Sequence, residues 1–215
     1  SGKFPGGLRG FADYVRSLGM KFGLHFVPVE AAPQAPVLMA NPDWTASLDN
    51  EYFEADSLCI SHAPVQSWLR RTTLDLLERY RPHWITQDGE NLVKECTKTS
   101  HTHNANNSNW SNSVNGLDSF LRYIRARAPG TYWENNGDGG TMSTFEAVKY
   151  YSAFGSCDAC EHMPRRQSVY GMSYVFPPRF IGRYMDEHYV EILSELGDTS
   201  KTARRLADTG SADRE

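Results

Sequence analysis

The sequence predicts an α/β fold, a parallel sheet covered by helices, and three observations carry that expectation. Stretches with apolar residues at helical spacing alternate with short apolar runs of strand length. Glycine or proline separates the two kinds of segment, as at Gly19, Pro82 and Pro129-Gly130. Two of the apolar runs, Trp84 to Asp88 and Ala153 to Asp158, end on an aspartate. Chemistry in alternating α/β proteins sits just past the carboxyl ends of the strands, so these two acids are the first functional candidates.

Leu8, Phe11, Ala12, Val15 and Leu18 mark one face of a helix that Gly19 ends, and Met20 to Pro28 reads as a buried strand. Residues 29–64 carry Pro33, Pro36, Pro42 and Pro64 among scattered aromatics and read as a long irregular loop over the strand end. A helix over about 65–80, apolar at Trp68, Leu69, Leu74, Leu76, Leu77 and Tyr80, leads into a strand over 83–88. The polar run 97–115 reads as a loop, Leu117, Phe120, Leu121 and Ile124 restore helical spacing, and Thr131 to Asn136 supplies the next strand. Phe145, Val148 and Tyr151 predict one more helix before the strand 153–158. A polar helix start near Pro164, an aromatic stretch over 170–178 and a helix near 185–196 follow. Residues 1–197 thus read as one catalytic-size α/β unit and 198–215 as a polar, poorly ordered tail.

At 215 residues with 40% hydrophobic content the chain can bury a sizeable core. A net charge of −4 gives no electrostatic ground for nucleic acid or an anionic membrane as partner, and a small neutral substrate fits better. No apolar run reaches the roughly 18 residues of a membrane span, and the first residues lack the apolar core of a signal peptide. The four cysteines, Cys59, Cys96, Cys157 and Cys160, are too few for a disulfide scaffold and read as reduced thiols, which favours a cytoplasmic address. No glycine-rich phosphate loop follows any strand, so a nucleotide-binding open sheet loses ground to a barrel segment. A closed barrel needs eight strands and about 250 residues, more than this sequence supplies.

The run Asp158-Ala159-Cys160-Glu161-His162-Met163-Pro164-Arg165, followed by Tyr170-Gly171-Met172-Ser173 and Phe176-Pro177-Pro178, resembles the acid/base segment of clan D glycoside hydrolases, most closely the family 36 α-galactosidases. Asp158, Glu161, Arg165 and Gly171 fill the places of that family's pattern. Pro5-Gly6-Gly7-Leu8 through Leu18-Gly19-Met20-Lys21-Phe22-Gly23-Leu24 is similar to its helix and third barrel strand, and Asn41-Pro42-Asp43-Trp44 to the loop that follows. The resemblance implies a (β/α)8 TIM barrel of which this chain holds the central βα units, about strands 3 to 7. The first two strands would then precede residue 1 and the eighth would follow residue 215. Such a piece belongs to a larger chain or closes its sheet in a homo-oligomer, because an open parallel edge is a liability.

By the same resemblance Asp88 is the nucleophile at the end of the fourth strand and Asp158 the acid/base after the sixth. The resemblance further implies that Trp44, Thr86, Asn136, Gly139, Glu161 and Arg165 line the substrate, expected to be a glycoside or oligosaccharide, with no cofactor. Thr86 stands where the family has a lysine, and Met39 where it has an arginine. Asn136-Gly137-Asp138-Gly139-Gly140-Thr141-Met142 replaces its Cys-Ser-Ser-Gly-Gly-Gly-Arg, so the sugar-side set departs further than the carboxylate pair.

Retaining cleavage of a glycoside needs one carboxylate nucleophile and one carboxylic acid that protonates the leaving oxygen. A lone strand-end Asp is more often a helix cap than a catalyst, whereas two at matching places in two βα units favour catalysis. With a 2-acetamido sugar, one carboxylate can instead orient that group as internal nucleophile, which makes an N-acetylgalactosaminidase the alternative enzyme. A non-catalytic, carbohydrate-binding or structural barrel piece is the alternative from another class. Among the aromatics, Trp44 in its loop suits a sugar platform, while Trp84 and Trp133 read as core. Cys157 and Cys160, with His162, His101 and His103, invite a zinc or redox reading. A structural zinc site wants four ligands at paired spacings and the sequence offers one such pair, so no metal is expected.

Overall fold

The computed structural model describes residues 3–47, 56–89, 96–103, 109–136, 143–156 and 162–182. Helix α1 (Gly7–Ser17) buries Ala12 and Val15 against Phe22, and the chain leaves it through Gly19 in the left-handed region, φ +77°. Phe11 and Leu18, expected on the buried face, are exposed. Strand β1 (Gly23–Phe26) is shorter than the run 20–28 that suggested it, and its residues alternate between exposed and half-buried. It is the outermost strand of the sheet among the described residues and is less buried than the run suggested.

Residues 29–64 are more regular than their prolines suggested. Strand β2 (Glu30–Ala31) pairs antiparallel with β3 (Asp56–Ser57), and helix α2 (Pro36–Ala40) and a 3-10 turn (Pro42–Trp44) lie between them. Pro36, Pro42 and Pro64 each occupy the first turn of a helical element. A missing N–H costs nothing there and the fixed φ is already helical, so residues that looked like loop punctuation are helix starts.

Helix α3 (Ala63–Tyr80) buries Val65, Leu69, Thr73 and Leu77 at a spacing of four, then turns through Arg81 at φ 48° and Pro82 into β4 (Trp84–Gln87). Helix α4 (Asn109–Arg127) begins inside the polar run read as a loop. The apolar periodicity starts only where the helix meets the core, at Leu117, Phe120, Leu121 and Ile124. After β5 (Tyr132–Asn135), the expected helix over 145–152 is only a 3-10 turn, Ala147–Lys149. Phe145 is 74% exposed, so the apolar spacing there did not mark a buried stripe. Strand β6 (Ala153–Phe154) follows, and helix α5 (His162–Ser173) takes in the first part of the aromatic stretch. After a 3-10 turn, Pro178–Phe180, Ile181 bridges parallel to Phe154.

The main sheet has the order β1-β4-β5-β6 with every pairing parallel, which bears out the α/β expectation. Helices α3 and α4 cover one face, where Leu69, Leu77, Phe120, Leu121 and Ile124 meet Ile85, Trp133 and Phe154. Among the described residues no helix is long and apolar enough to cross a membrane. Gly139, Cys157, Asp158, Cys160 and Glu161, the helix near 185–196 and the tail from 198 lie outside the described residues.

Candidate functional site

Side chains alternate across a strand, so the register fixes what each face carries. Gly23, Trp84 and Tyr132 are aligned, as are His25, Thr86 and Glu134 two positions on. These residues share the face away from the covering helices. Asp88, just beyond β4, has the same parity and comes out over that face.

Asp88 is held from both sides. Its Oδ2 lies 2.9 Å from His25 Nε2, and its Oδ1 accepts the Gly89 N–H at 3.0 Å. Its own N–H donates to the Phe26 carbonyl at 3.0 Å. Gly89 is at φ +125°, and a Cβ there would stand 3.0 Å from Val27 Cγ1 and 3.2 Å from Glu30 Oε1, so this exit suits glycine alone. The side chains of His25 and Asp88 are 59% and 34% exposed, leaving the pair open to an incoming ligand.

Behind them Glu134 is buried on the same face. Its Oε2 accepts the Trp84 indole N–H at 2.9 Å and the Thr86 hydroxyl at 3.1 Å. Trp84 stacks on Tyr132 with centroids 5.6 Å apart and planes 11° from parallel. The core reading of Trp84 is therefore corrected: the ring is half-buried on the open face, whereas Trp133 is fully buried as expected. Gly182 makes room for Glu134, since a Cβ there would lie 3.0 Å from Oε1.

Of the other sequence candidates, Trp44 is half-buried edge-on to Trp68, centroids 6.1 Å apart, beside Leu38, Leu58 and Val65. Packing takes up part of the ring offered as a sugar platform. Asn136 follows β5 and donates its N–H to the Gln87 carbonyl at 2.7 Å. Its side-chain Oδ1 sits where a Cβ on Gly155 would fall, at 2.4 Å. Arg165 lies half-buried in the first turn of α5. The structure thus brings Thr86 and Asp88 to one face, and adds His25 and Glu134, which the sequence reading missed. Their signal was present as two-residue alternation, but only the register of three strands aligns them.

A second polar cluster lies beyond this face. Cys59 and Cys96 are buried free thiols, and together with His101 and His103 their ligand atoms all lie within 4.8 Å of one another. Among the described residues the partners of His101 and His103 are Cys59 and Cys96; Cys157 and Cys160, with which the sequence grouped them, lie outside the described residues. Burial pushes the Cys59 thiol up to about 11. Burial first, then the charge of His62, holds both His101 and His103 below the usual imidazole range.

A family model described as Melibiase matches residues 1–200. An alpha-galactosidase of Escherichia coli is 26% identical over 189 residues, covering 85% of this chain and 26% of the relative. Alpha-galactosidase 2 of Pediococcus pentosaceus is 25% identical over 190 residues, with the same coverage. The chain spans about a quarter of the length of the curated relatives it matches. The crystal structure of the GH36 alpha-galactosidase AgaA from Geobacillus stearothermophilus superposes with a TM-score of 0.76 at 22% identity, covering 84% of this chain and 26% of that one. The family match runs over nearly the whole sequence, and this chain belongs to the melibiase family.

Proposed function

We propose that this chain carries the central part of a retaining α-galactosidase-like glycoside hydrolase, with Asp88 as the nucleophile. The observation that carries the reading is the carboxylate at the exit of β4, oriented by His25 and its own loop amide and open to a ligand. Four parallel strands adjacent in chain order, with Ile181 next to β6, are what successive βα units of a (β/α)8 barrel produce, with this chain contributing about strands 3 to 7. In a barrel the face of His25, Thr86 and Glu134 turns inward, toward the sugar.

In the first step an Asp88 oxygen forms a bond to the anomeric carbon while the bond to the leaving oxygen breaks, and Asp158 gives that oxygen its proton. In the second step water attacks the anomeric carbon, Asp158 takes the water's proton, and the Asp88 carboxylate leaves. His25 and the Gly89 amide hold the nucleophile in one orientation throughout. Thr86, Trp44, Asn136, Gly139, Glu161 and Arg165 are the candidate sugar contacts. Related structures were solved with raffinose and with stachyose, which supports an oligosaccharide substrate. At the lysine position of the resemblance, the Thr86 hydroxyl is engaged by Glu134. Its recognition of the sugar therefore differs, and an N-acetylgalactosaminide is the competing substrate.

The test uses Asp88→Ala and Asp158→Ala with aryl α-galactosides and aryl α-N-acetylgalactosaminides. Both variants should lose turnover, and azide should restore Asp88→Ala through a glycosyl azide of inverted configuration, whereas any glycosyl azide from Asp158→Ala should keep the substrate's configuration. Continued turnover of both substrates by both variants would overturn the assignment. Preference for the acetamido sugar would move it to the competing substrate.

A further inference from the structure

We propose that Cys59, Cys96, His101 and His103 form a closed structural Zn2+ site that pins the loop after β4 to the turn after β3. The site is separate from the Asp88 face and independent of the reading of that face. Its ligands come from two stretches far apart in sequence: Cys59 follows β3, while Cys96, His101 and His103 share one short polar loop. The fold alone brings them together.

Two distances between the ligand atoms have the size a tetrahedral ion imposes, and the whole set lies within 4.8 Å. With Zn–S of about 2.3 Å and Zn–N of about 2.05 Å, a sulfur and a nitrogen stand about 3.5 Å apart and two nitrogens about 3.3 Å apart. Here Cys96 Sγ lies 3.5 Å from His101 Nε2, and His101 Nε2 lies 3.1 Å from His103 Nε2. Two imidazole Nε2 atoms facing each other can share only one hydrogen bond, whereas a cation between them uses both lone pairs. Two sulfurs and two imidazoles are a donor set that selects zinc over harder divalent ions, and four protein ligands leave no open position for catalysis.

The supports around the cluster are already in place. Cys59 donates its N–H to the Trp44 carbonyl at 2.7 Å, and buried Gln66 donates to the carbonyls of Ile60 and Gly116 at 2.7 and 2.6 Å. Gly116 lets α4 come this close, since a Cβ would stand 2.6 Å from the Ile60 carbonyl oxygen. On the other strand of the clamp, the Thr97 N–H donates to Ser47 Oγ at 2.8 Å, and His62 Nδ1 lies 3.0 Å from the Thr102 carbonyl. Zinc would complete this frame and fix residues 96–103, which follow the proposed nucleophile in the sequence.

The test measures metal in the full chain purified from zinc-supplemented medium, then replaces it with Co2+ after chelation. The expected result is about one zinc per chain and, with cobalt, the intense visible bands of a tetrahedral ion plus a near-ultraviolet thiolate charge-transfer band. Cys59→Ser or Cys96→Ser should halve that band, and each should weaken zinc binding by more than about 100-fold, beyond what losing an outer partner costs. His62→Ala, outside the four, should keep both metal and spectrum. Octahedral cobalt, no stoichiometric metal in the wild-type chain, or a Cys59–Cys96 disulfide in the intact mass would each overturn the proposal. The wild-type spectrum decides even if a cysteine variant fails to fold.

Discussion

The two faces of the parallel sheet come from alternate residues of the same strands and do opposite work. On the helix side, Ile85 and Trp133 are fully buried, and Phe26 packs edge-on to Trp133 with centroids 6.3 Å apart. Gln87, a polar residue of that face, is also fully buried and bonded at both ends of its amide: it accepts the Trp133 indole N–H and donates to the Tyr151 hydroxyl, both at 2.7 Å. Burial pushes the Tyr151 phenol well above its usual range, so it stays a neutral member of the network. On the other face the polar groups converge toward solvent, with His25, Asp88 and the 48%-exposed Tyr132 around the buried Glu134. A polar group satisfied inside a dry core is there for stability, whereas one held in place but left open is available for chemistry.

Substitutions on the two faces should therefore separate activity from stability. Asp88→Asn should lower kcat by on the order of 10⁴-fold or more while leaving the thermal midpoint nearly unchanged; kinetics and a melting curve on one sample check both halves. Loss of fold in that variant would break the contrast. Trp133→Ala should do the reverse, costing about 3–5 kcal/mol in urea unfolding through the cavity it leaves. Gln87→Leu should cost about 3 kcal/mol, because it strands the Trp133 N–H and the Tyr151 hydroxyl in an apolar setting.

The smallest effect belongs to Asp118, on α4 and on neither face. Burial first, then the charge of Glu146, holds its carboxyl above the ordinary 3.8. A raised acid means the native chain keeps a proton that the unfolded chain has lost. Its contribution is present below the unfolded value and lost as pH rises through the folded one. Asp118→Asn should melt with the wild type well below pH 3.8 and slightly above it at neutral pH, as melting curves across that range would reveal.

The sequence exposed the strand-helix alternation wherever one stripe was buried, as at Leu117, Phe120, Leu121 and Ile124. It misled where apolar spacing occurred without burial, at Phe145, and where proline began a helix instead of ending one, at Pro36 and Pro64. The aspartate at the exit of β4 was legible because Trp84 to Asp88 forms one contiguous run. His25 and Glu134 were not, since their alignment with Thr86 is a property of inter-strand register and no local pattern encodes it. The cysteine-histidine cluster was hidden for the same reason. Cys59 and Cys96 are distant in sequence, whereas Cys157 and Cys160 form the pair that local spacing puts forward.

The most direct test of Asp88 is to trap the covalent intermediate. A fluorosugar α-galactosyl inactivator, which slows breakdown of the glycosyl-enzyme more than its formation, should label the intact chain once, and peptide mapping should place the sugar on Asp88. A label on another residue, or turnover without a covalent adduct, would contradict the account.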